Sequence, residues 1–244
     1  MKKEFDLTQG GISKKLLNLA FPIIGTEVFQ MFYNFIDMFF VGRLSSDAIA
    51  ATGLAGVYIW LSVAFFLIGG MGAEIGVSQH LGKGEKETAK KYAINSVMIA
   101  IILGCLYGLV MIIFRQPLIA FLRIPEVHII AEAASYLAIV SISTPMIFIS
   151  IALASAFEGA GNAKFPFYIK SGGLLLNIIL SPIFIFTFSW GIQGAALATV
   201  IAQTLVCLVF LWAIKYHPSR PFTNFKYSDF LLVPFCKHIF FIWI

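Results

Sequence analysis

Charge is scarce in this sequence. Asp, Glu, Lys and Arg make up 12% of the 244 residues, against about 25% in a typical soluble domain. Hydrophobic types supply 59%, and mean hydropathy is +0.91. A water-soluble core of this size could not hide so much apolar surface, so lipid is the expected solvent. Cysteine is equally sparse: Cys105, Cys207 and Cys236 lie far apart in apolar segments. They form no CxxC pair, and His80, His128, His217 and His238 are isolated. That excludes a disulfide framework and a sequence-legible metal site. Period-2 alternation is missing, which argues against a membrane β-barrel. No nucleophile–base pair or ligand cluster is visible, so a membrane enzyme is disfavoured and no cofactor is expected.

What is present is a series of long apolar runs. A spanning helix needs about 20 predominantly apolar residues. Six stretches qualify: Leu16–Val41, Ile49–Ser78, Tyr92–Phe114, Ile129–Phe157, Phe165–Phe188 and Gln193–Ile214. The first follows Lys2, Lys3, Lys14 and Lys15 and is too long for a signal peptide, so it is expected to be a retained span. The fold class is therefore all-α, a polytopic membrane protein with a six-helix transmembrane bundle over residues 1–214. Residues 215–244 are expected to form a cytoplasmic linker, Lys215–Asp229, and the truncated start of a seventh helix, Phe230–Ile244, too short to span.

The net charge of +5 does not indicate nucleic acid, because the basic residues are scattered in short loops between apolar runs. With the amino terminus inside, one side carries Lys2, Lys3, Lys14, Lys15, Lys83, Lys86, Lys90, Lys91, Lys164, Lys170, Lys215, Arg220, Lys226 and Lys237. The other carries Arg43, Arg115 and Arg123. This asymmetry predicts a cytoplasmic amino terminus in a multi-pass cell-membrane protein. The loop Leu81–Lys91 reads as a solvated cytoplasmic turn.

Ionisable groups within a span cost roughly 2.5–3.5 kcal/mol at the bilayer centre, so each is a functional candidate. In the first span, Glu27, Gln30, Asn34 and Asp37 fall within about 80° of one another at 100° per residue. They form one polar stripe on an apolar helix. Interhelical hydrogen bonding is the plainer reading of the stripe; two carboxylates favour a cavity wall that binds a cation or proton. In the fifth span Lys170, Gly173, Asn177 and Ser181 share a face, with Lys170 expected to snorkel toward water. In the sixth, Thr199 and Gln203 lie one turn apart. Gly69, Gly72 and Gly76, with Glu74 among them, read as a close-packing surface near the end of the second span.

Four segments together resemble the multidrug and toxic compound extrusion family. Phe35-Ile-Asp-Met-Phe-Phe-Val-Gly-Arg43 is similar to the end of that family's first helix, with Asp37 at its acidic position. Gln79-His-Leu-Gly-Lys-Gly-Glu85, followed by Lys90, resembles its turn after helix 2. Glu158-Gly-Ala-Gly-Asn-Ala-Lys164 resembles the turn between helices 4 and 5. Gly191-Ile-Gln-Gly-Ala-Ala-Leu-Ala-Thr199, with Gln203, resembles the start of helix 6. The four occur in order and span roughly residues 12–215.

The resemblance implies the amino-terminal lobe of a twelve-helix, two-lobed exporter that trades cationic or amphiphilic drugs for inward H⁺ or Na⁺. By that match Asp37 is the coupling acid, with Tyr33, Asn34 and Asn177 as neighbours. Gln30, Thr199 and Gln203 would line the substrate cavity. Two departures stand out: Ser181 occupies a position where many members carry Asp, leaving Glu27 as a partial replacement, and the second lobe is not in this sequence. The implied partners are membrane lipid, an amphiphilic or cationic small molecule, and a second lobe or a second copy of the chain. Alternatives are a lipid-linked oligosaccharide flippase of related architecture, which would need several cationic side chains, and a membrane remnant that transports nothing.

Overall fold

A computed structural model describes residues 12–123, 125–216 and 221–222, with side chains from Leu16 onward. The expected seventh helix at Phe230–Ile244 and most of the linker before it lie outside the described residues. Among the described residues the secondary structure is helical throughout. The helices are α1 (Ile12–Gly42), α2 (Ser46–Gly82), α3 (Lys86–Ile113), α4 (Arg115–Phe121), α5 (Val127–Ser141), α6 (Thr144–Gly159), α7 (Lys164–Pro182) and α8 (Gly191–Tyr216), with a π-helical segment at Ile183–Thr187 after α7. Five helical stretches among the described residues are long and apolar enough to cross a membrane, or six where the bent α5–α6 pair counts as one span.

The observed elements depart from the sequence expectations in instructive ways. The stretch Ile129–Phe157 is not one continuous helix but is broken into α5 and α6, which meet at 46°. Pro145 at the start of α6 explains the break, since its ring and missing N–H end the preceding ladder. Buried Ser141 and Ser143 return hydroxyl donors to Leu137 O and Val140 O at 2.6 and 2.7 Å. On α3, Gly104 and Gly108 leave room for this corner: a Cβ at either would stand 2.8 Å from Pro145 Cα or Ser141 O. Leu81–Lys91 is not a loop of that length, because α2 runs to Gly82 and α3 begins at Lys86. The turn between them is carried by Gly84 at φ +80, and Glu85 closes it by accepting or sharing a proton with His80 Nδ1 at 2.7 Å.

The expected glycine surface does pack. A Cβ on Gly76 would lie 2.3 Å from the Tyr92 ring, which stacks on His80 at 4.9 Å. The core is dominated by small residues, among them Ala51, Ala55, Ala73, Ala152 and Ala195, as close packing between helices in lipid requires. Helices α2, α3, α5 and α6 form the central bundle; α8 joins it through α5 and α6, and α7 packs on α8. The outermost helix is α1, whose chief neighbour is α7. From Leu16 to Phe40 it has no fully buried residue. Its seam with α7 uses Phe29 edge-on to Phe167 at 5.9 Å, and Phe40 edge-on to Phe186 in the π segment at 6.4 Å.

Candidate functional site

Three elements converge where α1 nears its carboxy-terminal end. Pro182 cannot donate to the carbonyl four residues back, and the chain responds by widening into the π segment, closed by Phe188 N donating to Ile183 O at 3.0 Å. Gly194 on α8 lets the π segment come close, since a Cβ there would be 2.7 Å from the Phe184 carbonyl group. This packing sets the final turns of α7, with Asn177 and Ser181, between α1 and α8. Both are buried, at 3% and 1% exposure.

The polar chain there is continuous. Ser181 Oγ donates to Asn177 Oδ1 at 2.8 Å and lies 3.5 Å from Asp37 Oδ1. Asn177 Nδ2 donates to Thr199 Oγ1 at 3.1 Å, and Thr199 Oγ1 donates to its own helix at Ala195 O, also 3.1 Å away. Tyr33, one turn before Asp37, lies within interaction range of Asp37 and of the Thr199 side chain. A carboxylate on α1 is thus linked through α7 to a hydroxyl on α8. Chemically, the cluster offers one negative charge with amide and hydroxyl oxygens around it. That suits exchange of a proton or a small hard cation, which prefers oxygen ligands.

The other sequence candidates fall outside this cluster. Gln30 Nε2 donates to Asn34 Oδ1 at 3.2 Å on the open side of α1, and Asn34 and Glu27 are exposed. Glu27 sits ten residues, about 15 Å at 1.5 Å per residue, from Asp37. It therefore does not fill the place a second acid would take at Ser181. Gln203 is half-buried one turn beyond Thr199. Lys170 does not reach water alone: its Nζ is 3.6 Å from Glu158 Oε1, with the side chains 28% and 14% exposed.

One site residue was not legible beforehand. Tyr136 of α5, 7% exposed, lies within electrostatic reach of both Asp37 and Tyr33. The single aromatic in Ala133-Ala-Ser-Tyr136 was its only sequence signal.

Comparison with known proteins accords with this fold. The MatE family model matches residues 22–183. A probable multidrug resistance protein of Bacillus subtilis, YpnP, is 28% identical over 223 residues, covering 91% of this chain and 50% of that protein. The probable multidrug resistance protein NorM of Thermotoga maritima is 30% identical over 197 residues, covering 79% and 42%. Among solved structures, an outward-facing multidrug resistance MATE family transporter of the MOP superfamily superposes with a TM-score of 0.88 at 24% identity, covering 98% of this chain and 52% of that one. The chain spans about half the length of the curated relatives it matches. By its family match, its helical lobe and the four motifs that build the lobe's turns, this chain belongs to the MatE family of multidrug efflux transporters.

Proposed function

We propose that this lobe serves a cation-coupled antiporter that exports amphiphilic or cationic xenobiotics across the cell membrane, with the amino terminus in the cytoplasm. The observation that carries the reading is the position of Asp37: a carboxylate on a membrane-embedded helix, tied by Ser181, Asn177 and Thr199 to two other helices. Charge placed there is expensive, and the polar groups around it make a site where H⁺ or Na⁺ can neutralise it. Tyr33 and Tyr136 complete its surroundings. Glu27, Gln30 and Asn34, on the open side of α1, are assigned to the wall that a positively charged cargo meets first. Thr199 and Gln203 extend that wall onto α8.

Alternating access in such folds needs two bundles moving around a shared site. The exposed apolar flank of α1, with Phe21, Phe32 and Phe35 more than half exposed, is assigned to face a second lobe, lipid and cargo. A flippase for a pyrophosphate-linked lipid would need free cationic side chains on its wall. The lysine deepest in a span, Lys170, is held by Glu158, which favours the drug exporter.

The test is reconstitution of this chain with a second lobe in liposomes, driven separately by a pH gradient and by a Na⁺ gradient. Asp37→Asn is expected to abolish export under whichever gradient drives the parent, with insertion intact. Export at the parental rate under that gradient would remove Asp37 from the coupling role.

A further inference from the structure

The short helix α4 keeps one side in the core and leaves two aromatic rings bare on another. Ile119 is fully buried, and Leu118 and Leu122 lie against the core. Tyr58 of α2 donates its hydroxyl to Leu118 O at 2.5 Å, and Tyr107 of α3 donates to Tyr58 O. These bonds hold α4 at the level of Tyr58. On its outer side Phe121 is 79% exposed and Phe114 52%. Seven residues apart, close to two helical turns, the two rings share one flank.

That level is the far edge of the membrane from the Lys83–Lys86 turn. Tyr58 lies 24 residues before Gly82 on α2, about 36 Å at 1.5 Å per residue. A hydrocarbon core is about 30 Å thick, and the charged turn after Gly82 has to lie just outside it. The opposite boundary therefore falls at Tyr58 and α4. Trp60, two residues further on and 79% exposed, fits there, since tryptophan concentrates at the membrane–water interface. Beyond this level α2 continues outward to Ser46. There Asp47 meets His128 at 3.1 Å, with both side chains well exposed, as in water.

Charge of one sign flanks α4. Arg115 opens the helix and Arg123 follows it, both exposed, and neither is in an ion pair among the described residues. A guanidinium is a planar fork of N–H donors that matches a phosphate group. We propose that α4 is a phospholipid-docking helix. Phe114 and Phe121 enter the acyl chains at the hydrocarbon edge, as the apolar face of an interfacial helix does. Arg115 and Arg123 hold headgroup phosphates of the same leaflet, the outer one in the orientation proposed above. Only the naming of the leaflet rests on that orientation. A second lobe is not the cover: α4 packs chiefly on α5, whereas α1, whose flank is assigned to that lobe, packs chiefly on α7. Because α4 leads from α3 into α5, lipid held there also fixes the outer end of the bent α5–α6 pair.

The experiment uses the full chain in liposomes of phosphatidylethanolamine and phosphatidylglycerol, in phosphate-free buffer. With the native cysteines replaced by alanine, a nitroxide is attached at Phe121→Cys or at Gln116→Cys, about 140° round the helix at 100° per residue. Its relaxation by oxygen, which dissolves in acyl chains, is compared with relaxation by a water-soluble nickel chelate. The Phe121→Cys label should favour oxygen and the Gln116→Cys label nickel. In parallel, solid-state NMR reads the dephasing of isotope-labelled arginine guanidinium carbons by lipid phosphorus. Dephasing should fall when Arg115→Gln and Arg123→Gln are combined. A label at position 121 that nickel reaches as readily as at 116 would put α4 in water. One shielded from both relaxants would mean that protein covers the flank. Dephasing unchanged in the double variant would deny the phosphate contact. Each of the three overturns the proposal, and none of them bears on whether the chain couples export to a cation.

Discussion

Glu158 at the end of α6 and Lys170 on α7 face one another across 3.6 Å, the acid 14% exposed and the base 28%. Glu74 of α2 lies within electrostatic range of both, and Gly159 brings α6 so near α2 that a Cβ would stand 2.6 Å from Glu74 O. Three helices are therefore joined at one end of the lobe by a small, partly desolvated charge cluster. Asp37 lies toward the other end of α7.

Removing one partner of a buried pair costs about 3–5 kcal/mol, because it strands the other charge; partial exposure here should reduce that to about 1–3 kcal/mol. Glu158→Gln and Lys170→Met are each expected to lower the thermal midpoint of the detergent-solubilised chain. The double variant should recover most of the loss. A double variant as unstable as the sum of the singles would mean the two side chains act separately.

Gly194 offers a test of how the fold builds the site. A Cβ there meets Phe184 backbone carbon and oxygen at 2.7 Å, and backbone cannot yield as a flexible side chain can. Gly194→Ala should push the π segment off α8, at about 1–3 kcal/mol for overpacking, and displace Ser181 two residues before it. The expected signature is weakened cation-driven export in a protein that still inserts. Unchanged export and an unchanged melting profile would show that the segment accommodates a methyl group.

Much of this arrangement was legible from residue order because lipid makes the rules strict. Predominantly apolar runs of about 20 residues leave few alternatives to a spanning helix, and the spacing of Asp37, Asn177, Ser181 and Thr199 on three helices fixed which faces carry polarity. What spacing could not supply was the contact between helices. Tyr136 is silent in sequence because its role depends on α5 being turned toward α1. The Glu158–Lys170 pair joins two residues on either side of a turn, and its closeness depends on Gly161 at φ +85 and on Asn162 Oδ1 accepting from Phe165 N at 3.3 Å. The break at Ile142–Ser143 was hidden because Pro145 is tolerated in a membrane helix as readily as it breaks one.

Orientation is open to direct chemical reading. In a background with the native cysteines replaced by alanine, Lys83→Cys lies in the exposed turn after α2 and Arg115→Cys at the exposed start of α4. An impermeant maleimide applied to intact cells should label Arg115→Cys and leave Lys83→Cys unmodified until the membrane is opened. The reverse pattern would invert the orientation drawn from the lysine asymmetry.

Thr199 separates a polar relay from mere packing. Its hydroxyl accepts from Asn177 Nδ2 at 3.1 Å and donates to Ala195 O within its own helix. The second bond is dispensable, since that carbonyl also serves the helix ladder. The first is not: Asn177 is 3% exposed, and an orphaned buried amide donor costs about 1–3 kcal/mol. Thr199→Val keeps the shape and removes the acceptor; Thr199→Ser keeps the acceptor and removes a methyl group. Val should therefore lower the thermal midpoint more than Ser, although packing alone predicts the opposite order. In the two-lobe complex, Val should also weaken export under the driving cation gradient, and Ser should retain it. If Val matches the parent in both measurements while Ser is impaired, Thr199 is a packing residue, and the polar path from Asp37 ends at Asn177.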